Sequence, residues 1–375
     1  MKNIIIFYAS YGGGHLAAGK AIQEYINKNY PDYKTYLLDC VECVSKPINS
    51  ITISIYKWLC KNHPKLWAKV YSNSNKGFLG TFSKTINNIL SKRLFKTIKE
   101  IDPELIISVH PFSSQMTARL KKQTKIDCKL ATVLTDFEPH DQWLIGKEYT
   151  DCFFVAHKQM KYDLIDKGIE ENIIYDTGIP ISMRFLKSYD KIKVCHDLNL
   201  NPDKKTILFF GGGEFGLGKE RTLKILKTLI DNIDGYQIVA ISGRNKKLKQ
   251  QFEELVTESK KNLVQVLEFT NHVPELMSIS SFVVTKPGGL TSSESLTSSL
   301  PMIIINPLPG HEEANATYLE SNGAAIWIKN DDNIEDIIFS LLKSNKKLDE
   351  MKSCIKNVSK PDSTKNICKT LLENA

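Results

Sequence analysis

Residues 285–315 read TKPGGLTSSESLTSSLPMIIINPLPGHEEAN and carry the clearest architectural signal in the chain. The apolar, β-branched run Ser281–Thr285 just before them has the length of a buried strand. Pro287, Gly288 and Gly289 let the backbone turn sharply and approach a ligand closely. A helix is expected from near Leu290, with its free N–H groups and positive dipole end facing that ligand. Glu294 then lies one turn inside, where a carboxylate can accept two hydrogen bonds from a vicinal diol. Pro301 is expected to end the helix, Met302–Ile305 to form the next buried strand, and 307–310 (PLPG) to make a rigid loop. That loop brings His311, Glu312, Glu313 and Asn315 to the same sheet edge, and open α/β sheets bind ligands beyond the carboxyl ends of their strands. Taken singly, the same features are a plain turn with Glu294 as an N-terminal helix charge.

The N-terminus repeats the theme. Asn3–Tyr8 reads as a strand, followed by Ala-Ser-Tyr-Gly-Gly-Gly-His at 9–15 and a helical run to about Asn29. Strand, glycine loop and helix begin a nucleotide-fold half. The spacing is neither the dinucleotide fingerprint nor a Walker loop. Three glycines beside His15 suggest a loop that brings a substrate against an imidazole; a helix cap or surface histidine is the alternative. Further strands are expected at Tyr33–Asp39, at Leu105–Val109 before His110-Pro111, and at Lys129–Leu134. The last runs into TDFEPHDQW at 135–143, which puts Asp136 and Trp143 at a sheet edge; a cap and a core residue are the bland alternatives. Cys152–Ala156 and Asn172–Tyr175 complete this half. After a polar connector at about Phe185–Lys205, strand Thr206–Phe210 leads into a second glycine loop, 211–218, whose amides could bind a diphosphate. Tyr236–Ser242 and Leu263–Leu267 are further strands.

Composition narrows the class. A chain of 375 residues suggests two domains, and 42% hydrophobic with 25% charged residues is ordinary for a globular protein. No stretch approaches twenty apolar residues, and the N-terminus reads as a strand rather than a signal peptide. The eight cysteines are scattered, with Cys40/Cys43 the single CxxC, so reduced thiols and a cytoplasmic location are expected. There is no DxD pair beside either glycine loop, so no metal and no cofactor is expected. Of the net charge of +8, residues 1–185 hold +7, from 25 Lys and Arg against 18 Asp and Glu. From Lys46 to Lys99 there are eleven basic residues and no acidic one, interleaved with Tyr56, Trp58, Trp67, Tyr71, Phe78 and Phe82. Two helices, around 47–70 and 80–100, are expected there. An anionic membrane surface explains this arm better than nucleic acid, for which no recognised module is present.

The pattern K-P-G-G-L-T-x-S-E followed by P-x-P-G-x-E-E-x-N resembles the donor segment of glycosyltransferase family 28, which includes the diacylglycerol glycosyltransferases. Gly-Gly-Gly-His at 12–15 and Thr-Gly-Ile-Pro-Ile at 177–181 are similar to the family as well. The resemblance implies an α/β fold of GT-B architecture: two facing Rossmann-like domains with a cleft between them. The N-terminal, acceptor- and membrane-facing domain would span 1–185, a connector 186–205, and the UDP-sugar-binding domain 206–360. A C-terminal helix, 361–375, would pack back on the first domain. The implied reaction is inverting transfer of a hexose from a UDP-sugar to a diacylglycerol-type lipid, at the inner face of the cell membrane. No specific protein partner is expected. His15 would be the general base, or an orienting residue if Asp136 takes the proton. Gly212, Gly213 and the helix starting near Leu290 would face the diphosphate, Glu294 the ribose, Phe269 with Val273 the uracil, and Glu312, Glu313 and Asn315 the sugar. Gly288, Gly289, Thr291, Ser292, Pro309 and Gly310 would also belong to the donor site. Gly14, Trp143, Trp58, Trp67, Phe78 and Phe82 would serve the acceptor or the membrane. Other readings are transfer of N-acetylglucosamine from its UDP donor to another lipid acceptor, a UDP-sugar 2-epimerase, and a non-catalytic nucleotide-sugar-binding regulator.

Overall fold

The structure, a computed structural model, describes residues 1–10, 13–44, 54, 58, 93–212 and 218–373. The chain forms two compact units. One holds Met1–Met183 with Pro309–His311 and Lys360–Ala375; the other holds Arg184–Leu308 with Glu312–Ser359.

The first unit is built on six parallel strands in the order β2-β1-β3-β4-β5-β6. They are β1 Lys2–Tyr8, β2 Tyr33–Asp39, β3 Leu105–Ser108, β4 Lys129–Val133, β5 Cys152–Phe154 and β6 Ile174–Tyr175. A parallel sheet is covered on both faces, so its inner strands are apolar throughout rather than alternating. Ile4, Ile5, Ile6 and Phe7 accordingly have 0% exposure, and each contributes about 1.5–3 kcal/mol by leaving water. The helix Gly13–Asn29 links β1 to β2 and buries Ala18, Ala21, Ile22 and Ile26, one stripe at helical spacing. The chain visits β2 on one side of β1 and then β3 on the other. The strand order therefore reverses between β1 and β3, and a crevice opens beyond their carboxyl ends.

The second unit repeats the plan with β7 Lys205–Phe210, β8 Tyr236–Ile241, β9 Val264–Leu267, β10 Ser280–Thr285, β11 Met302–Ile304 and β12 Ala325–Trp327. Their order is β12-β11-β10-β7-β8-β9, so the reversal falls between β7 and β10. Leu208 pairs with Val283 and Phe209 with Val284. This register sets the glycine loop after β7 beside the glycine turn after β10.

Two elements differ from expectation. The helix after the glycine turn runs Gly289–Thr297, and Ser299, in a left-handed conformation (φ 52°), closes it before Pro301 is reached. The stretch expected as a polar connector contains the helix Lys191–Asp197, capped by Asp190 accepting from the Lys193 amide at 2.8 Å, with Val194 and Cys195 buried. The two helices expected in the basic arm lie largely outside the described residues; positions 54, 58 and 93–101 are helical. No described helix is long and apolar enough to cross a membrane. The C-terminal helix Ser363–Glu373 belongs to the first unit, where Tyr30 donates to Glu373 at 2.8 Å and Thr364 bonds both backbone groups of Ile181.

Candidate active site

In the first unit, polar groups gather at the topological reversal. His15 stands in the first turn of the helix after β1, half-buried, with Gly14 beside it. Its Nδ1 lies 2.8 Å from the Val109 carbonyl and 3.2 Å from the Thr135 hydroxyl. A carbonyl only accepts, so Nδ1 carries the hydrogen and the neutral ring keeps its lone pair at Nε2. Burial lowers the His15 pKa below 6.5, against the opposing pull of Asp136 and the Val109 bond. The ring is thus unprotonated near neutral pH. Val109 follows β3 and Thr135 follows β4, so three consecutive strand ends hold this side chain.

Two more imidazoles adjoin it. The His110 ring sits edge-on to His15, centroids 4.6 Å apart and planes at 77°. Its Nδ1 accepts from the Phe112 amide at 3.1 Å and caps the helix Pro111–Lys122. Burial, then His15 and His140, hold His110 well below the ordinary histidine value. His140 is pushed down to about 4, chiefly by burial, while Asp136 opposes the shift. The turn carrying Asp136 is tied at several points. His157 donates to the Phe137 carbonyl at 2.9 Å, Lys167 to Asp141 at 2.6 Å, and Gln115 to the Gln142 carbonyl at 2.8 Å. Trp143, expected at the acceptor, lies in the core with 1% exposure, its ring 5.8 Å from that of His140. The short 3₁₀ turn Asp141–Leu144 rotates the indole inward. His110 was one residue that sequence reading passed over. Its position directly beyond a buried parallel strand was the available signal.

In the second unit, Gly212 adopts φ 91°, and a Cβ there would lie 3.2 Å from Cε of Lys286. The Lys286 stem thus passes close over the loop, a neighbour that sequence reading did not assign. Gly288 begins the helix Gly289–Thr297 without a side-chain cap, which leaves its first amides available to an anion. Ser292 Oγ is buried and has no hydrogen-bond partner among the described residues. Thr291 and Glu294 are half-buried. Burial alone pushes the Glu294 carboxyl up to about 8. Asn315, expected to face a sugar, is fully buried and donates to the Pro287 carbonyl at 2.9 Å. A buried amide must be paired, and here it braces the glycine turn from below. Glu312 accepts from the Leu308 amide at 2.6 Å and secures the start of the PLPG loop, in which Gly310 has φ 101°. Pro309 is half-buried and Glu313 is exposed.

Beyond β9, Phe269 is 61% exposed, with the Arg244 guanidinium 5.5 Å from its ring centre. Val273 opens the helix Val273–Ile279. Arg184 steadies this turn by donating to the Asn271 carbonyl at 2.8 Å and to Glu275 at 2.9 Å. Trp58 is helical and 54% exposed; Gly213, Trp67, Phe78 and Phe82 lie outside the described residues. Among the described residues, no three His, Cys, Asp or Glu side chains converge as a metal site requires.

Comparison with known proteins agrees with this organisation. Residues 15–181 match the monogalactosyldiacylglycerol (MGDG) synthase family, and residues 206–367 match the glycosyltransferase family 28 C-terminal domain. A processive diacylglycerol beta-glucosyltransferase of Staphylococcus epidermidis is 31% identical, the match covering 99% of this chain and 93% of the relative. The enzyme of the same name from Staphylococcus aureus is 32% identical over the same shares. Among solved structures, Acinetobacter baumannii MurG has a TM-score of 0.67 at 13% identity, covering 100% of both chains. The MnaA–UDP complex of S. aureus has a TM-score of 0.66 at 14% identity, covering 100% of this chain and 98% of that one. These distant structures share the two-domain α/β fold of GT-B type. With identity above 30% across nearly its whole length, the chain belongs to glycosyltransferase family 28, among the diacylglycerol glycosyltransferases.

Proposed function

We propose that this protein transfers a hexose from a UDP-sugar to a diacylglycerol-type lipid with inversion at the anomeric carbon. The observation that carries the reading is the near full-length relationship to diacylglycerol beta-glucosyltransferases. Their name favours glucose as the sugar. Transfer requires a base for the acceptor hydroxyl and a stabilised UDP leaving group. Nε2 of His15 takes the acceptor proton, and the Asp136 carboxylate favours the imidazolium that results. Backbone amides at Gly212 and at the start of Gly289–Thr297, with the Lys286 ammonium, offset the charge that develops on the diphosphate. Glu294 accepts from the ribose diol, Phe269 and the Val273 backbone seat the uracil, and Glu312 and Glu313 meet the sugar. Asn315 acts through the turn it braces. N-acetylglucosamine transfer, 2-epimerisation and a purely regulatory role are not favoured by these relatives; the epimerase likeness is one of fold, at 14% identity.

The protein docks peripherally on the inner face of the cell membrane through the 46–99 arm. The eleven basic residues from Lys46 to Lys99, with no acidic one among them, support this. The function is tested by incubating the protein with diacylglycerol liposomes and, separately, UDP-glucose, UDP-galactose and UDP-N-acetylglucosamine, then weighing the lipid products. A hexosyl-diacylglycerol is expected. Loss of the UDP-sugar with no glycolipid from any donor, or epimerisation of the N-acetylglucosamine donor alone, would overturn the reading.

A further inference from the structure

We propose that His110 is a positioning residue for the His15 base: its ring fixes the plane in which His15 presents Nε2, and the helix cap it forms fixes its own ring in turn. This rests on the reading of His15 as the base. The Val109 carbonyl at 2.8 Å and the Thr135 hydroxyl at 3.2 Å both meet Nδ1, so they anchor one atom of the His15 ring and leave its plane to tilt about that atom. The next residue along β3's extension removes the freedom. His110 stands at 77° to His15 with ring centroids 4.6 Å apart, an edge-to-face contact that a swing would break. His110 cannot turn away either, because its Nδ1 accepts from the Phe112 amide at 3.1 Å. That bond also assigns its proton to Nε2. One dipeptide, Val109-His110, therefore supplies both the tautomer and the orientation of the base. The titratable groups that act on His15 besides His110 are Asp136, His140 and His311.

Two substitutions separate the ring from the cap. His110→Asn keeps a side-chain acceptor that caps helices well and removes the ring. His110→Phe keeps an aromatic edge and removes both the acceptor and the titratable proton. Initial rates with UDP-sugar and diacylglycerol vesicles, measured from pH 5 to 9, give kcat, KM and the acid limb. For His110→Asn, kcat should fall about 10- to 100-fold, up to the scale of a ~1 Å misplacement of a reactive group, while KM for the UDP-sugar stays within about twofold and Tm is close to wild type. Its acid limb should also move to higher pH, since water reaching His15 relieves the burial that lowers its pKa. His110→Phe should recover most of the kcat despite a lower Tm. A wild-type kcat and acid limb in His110→Asn would overturn the proposal and leave only a cap. Equal loss in both variants would overturn it in favour of a proton relay. Should His110→Phe not fold, the kcat and acid limb of His110→Asn decide alone. His15→Ala, run alongside, separates the two readings. If it retains normal kcat, the base assignment fails and this proposal with it; if it loses activity while His110→Asn does not, the positioning role alone fails.

Discussion

The Nδ1–H of His15 donates to the carbonyl of Val109 at 2.8 Å, across 94 positions of sequence. The bond selects one tautomer, because a carbonyl cannot donate, and so leaves Nε2 as the atom able to receive a proton. It exists because β1 and β3 are neighbours in the sheet, with Phe7 beside Ser108. The residues just beyond each strand consequently share one edge.

His15→Ala should lower kcat by at least about 100-fold while calorimetric UDP affinity stays nearly unchanged, as expected for a base outside the donor unit. Lost UDP affinity with normal turnover at saturation would contradict the assignment.

UDP binding should release a proton near pH 7. Burial holds the Glu294 carboxyl at about 8, so it is largely protonated in the free protein. A ribose diol donates hydrogen bonds and favours the ionised form, which lowers that pKa on binding. Affinity should therefore rise with pH up to about 8. Calorimetry in buffers of different ionisation enthalpy reads the released proton directly. Glu294→Gln should abolish this pH dependence and weaken binding by about 1.5–3 kcal/mol.

The N-terminal unit should lose stability in acid. Burial depresses the folded-state pKa of His15, His110 and His140 below the unfolded value near 6.5. Below 6.5 the unfolded chain then binds more protons than the folded one, so stability falls as pH drops from 6.5 towards 4. Thermal melts across this range should show a declining midpoint, less steep in His140→Gln. An unchanged slope in that variant would count against a contribution from His140.

Gly211→Ala should destabilise the second unit by about 1–3 kcal/mol, the cost of overpacking a filled core. The added Cβ would come 2.6 Å from Phe252 Cζ and 2.8 Å from Leu248 Cδ2, both on buried side chains. Denaturant melts would read the loss, and a melt identical to wild type would show that Phe252 yields easily.

The basic arm should bind anionic but not neutral liposomes, with binding lost in high salt, at about 1 kcal/mol for each Lys or Arg close to the surface. Sedimentation with vesicles of each composition measures it. Binding indifferent to both headgroup and salt would remove the membrane role of residues 46–99.

Local pattern was enough to recognise most strands, both glycine loops and the family. Runs such as IIIF at 4–7 and FVVT at 282–285 are buried whichever strand lies beside them, and a glycine turn depends on its own backbone. Side-chain partnership was a different matter. That His15 meets Val109 and His110, or that Lys286 lies over Gly212, follows from strand orders that reverse between β1 and β3 and between β7 and β10. Linear spacing does not encode that reversal. Trp143, for which a core position was the alternative reading, and Asn315 lie among polar residues in the sequence, yet the fold turns both side chains inward. There burial of the indole and pairing of the amide with the Pro287 carbonyl outweigh exposure. The chain's own order names the residues at the sheet edges, and only packing between distant strands selects which of them face a ligand.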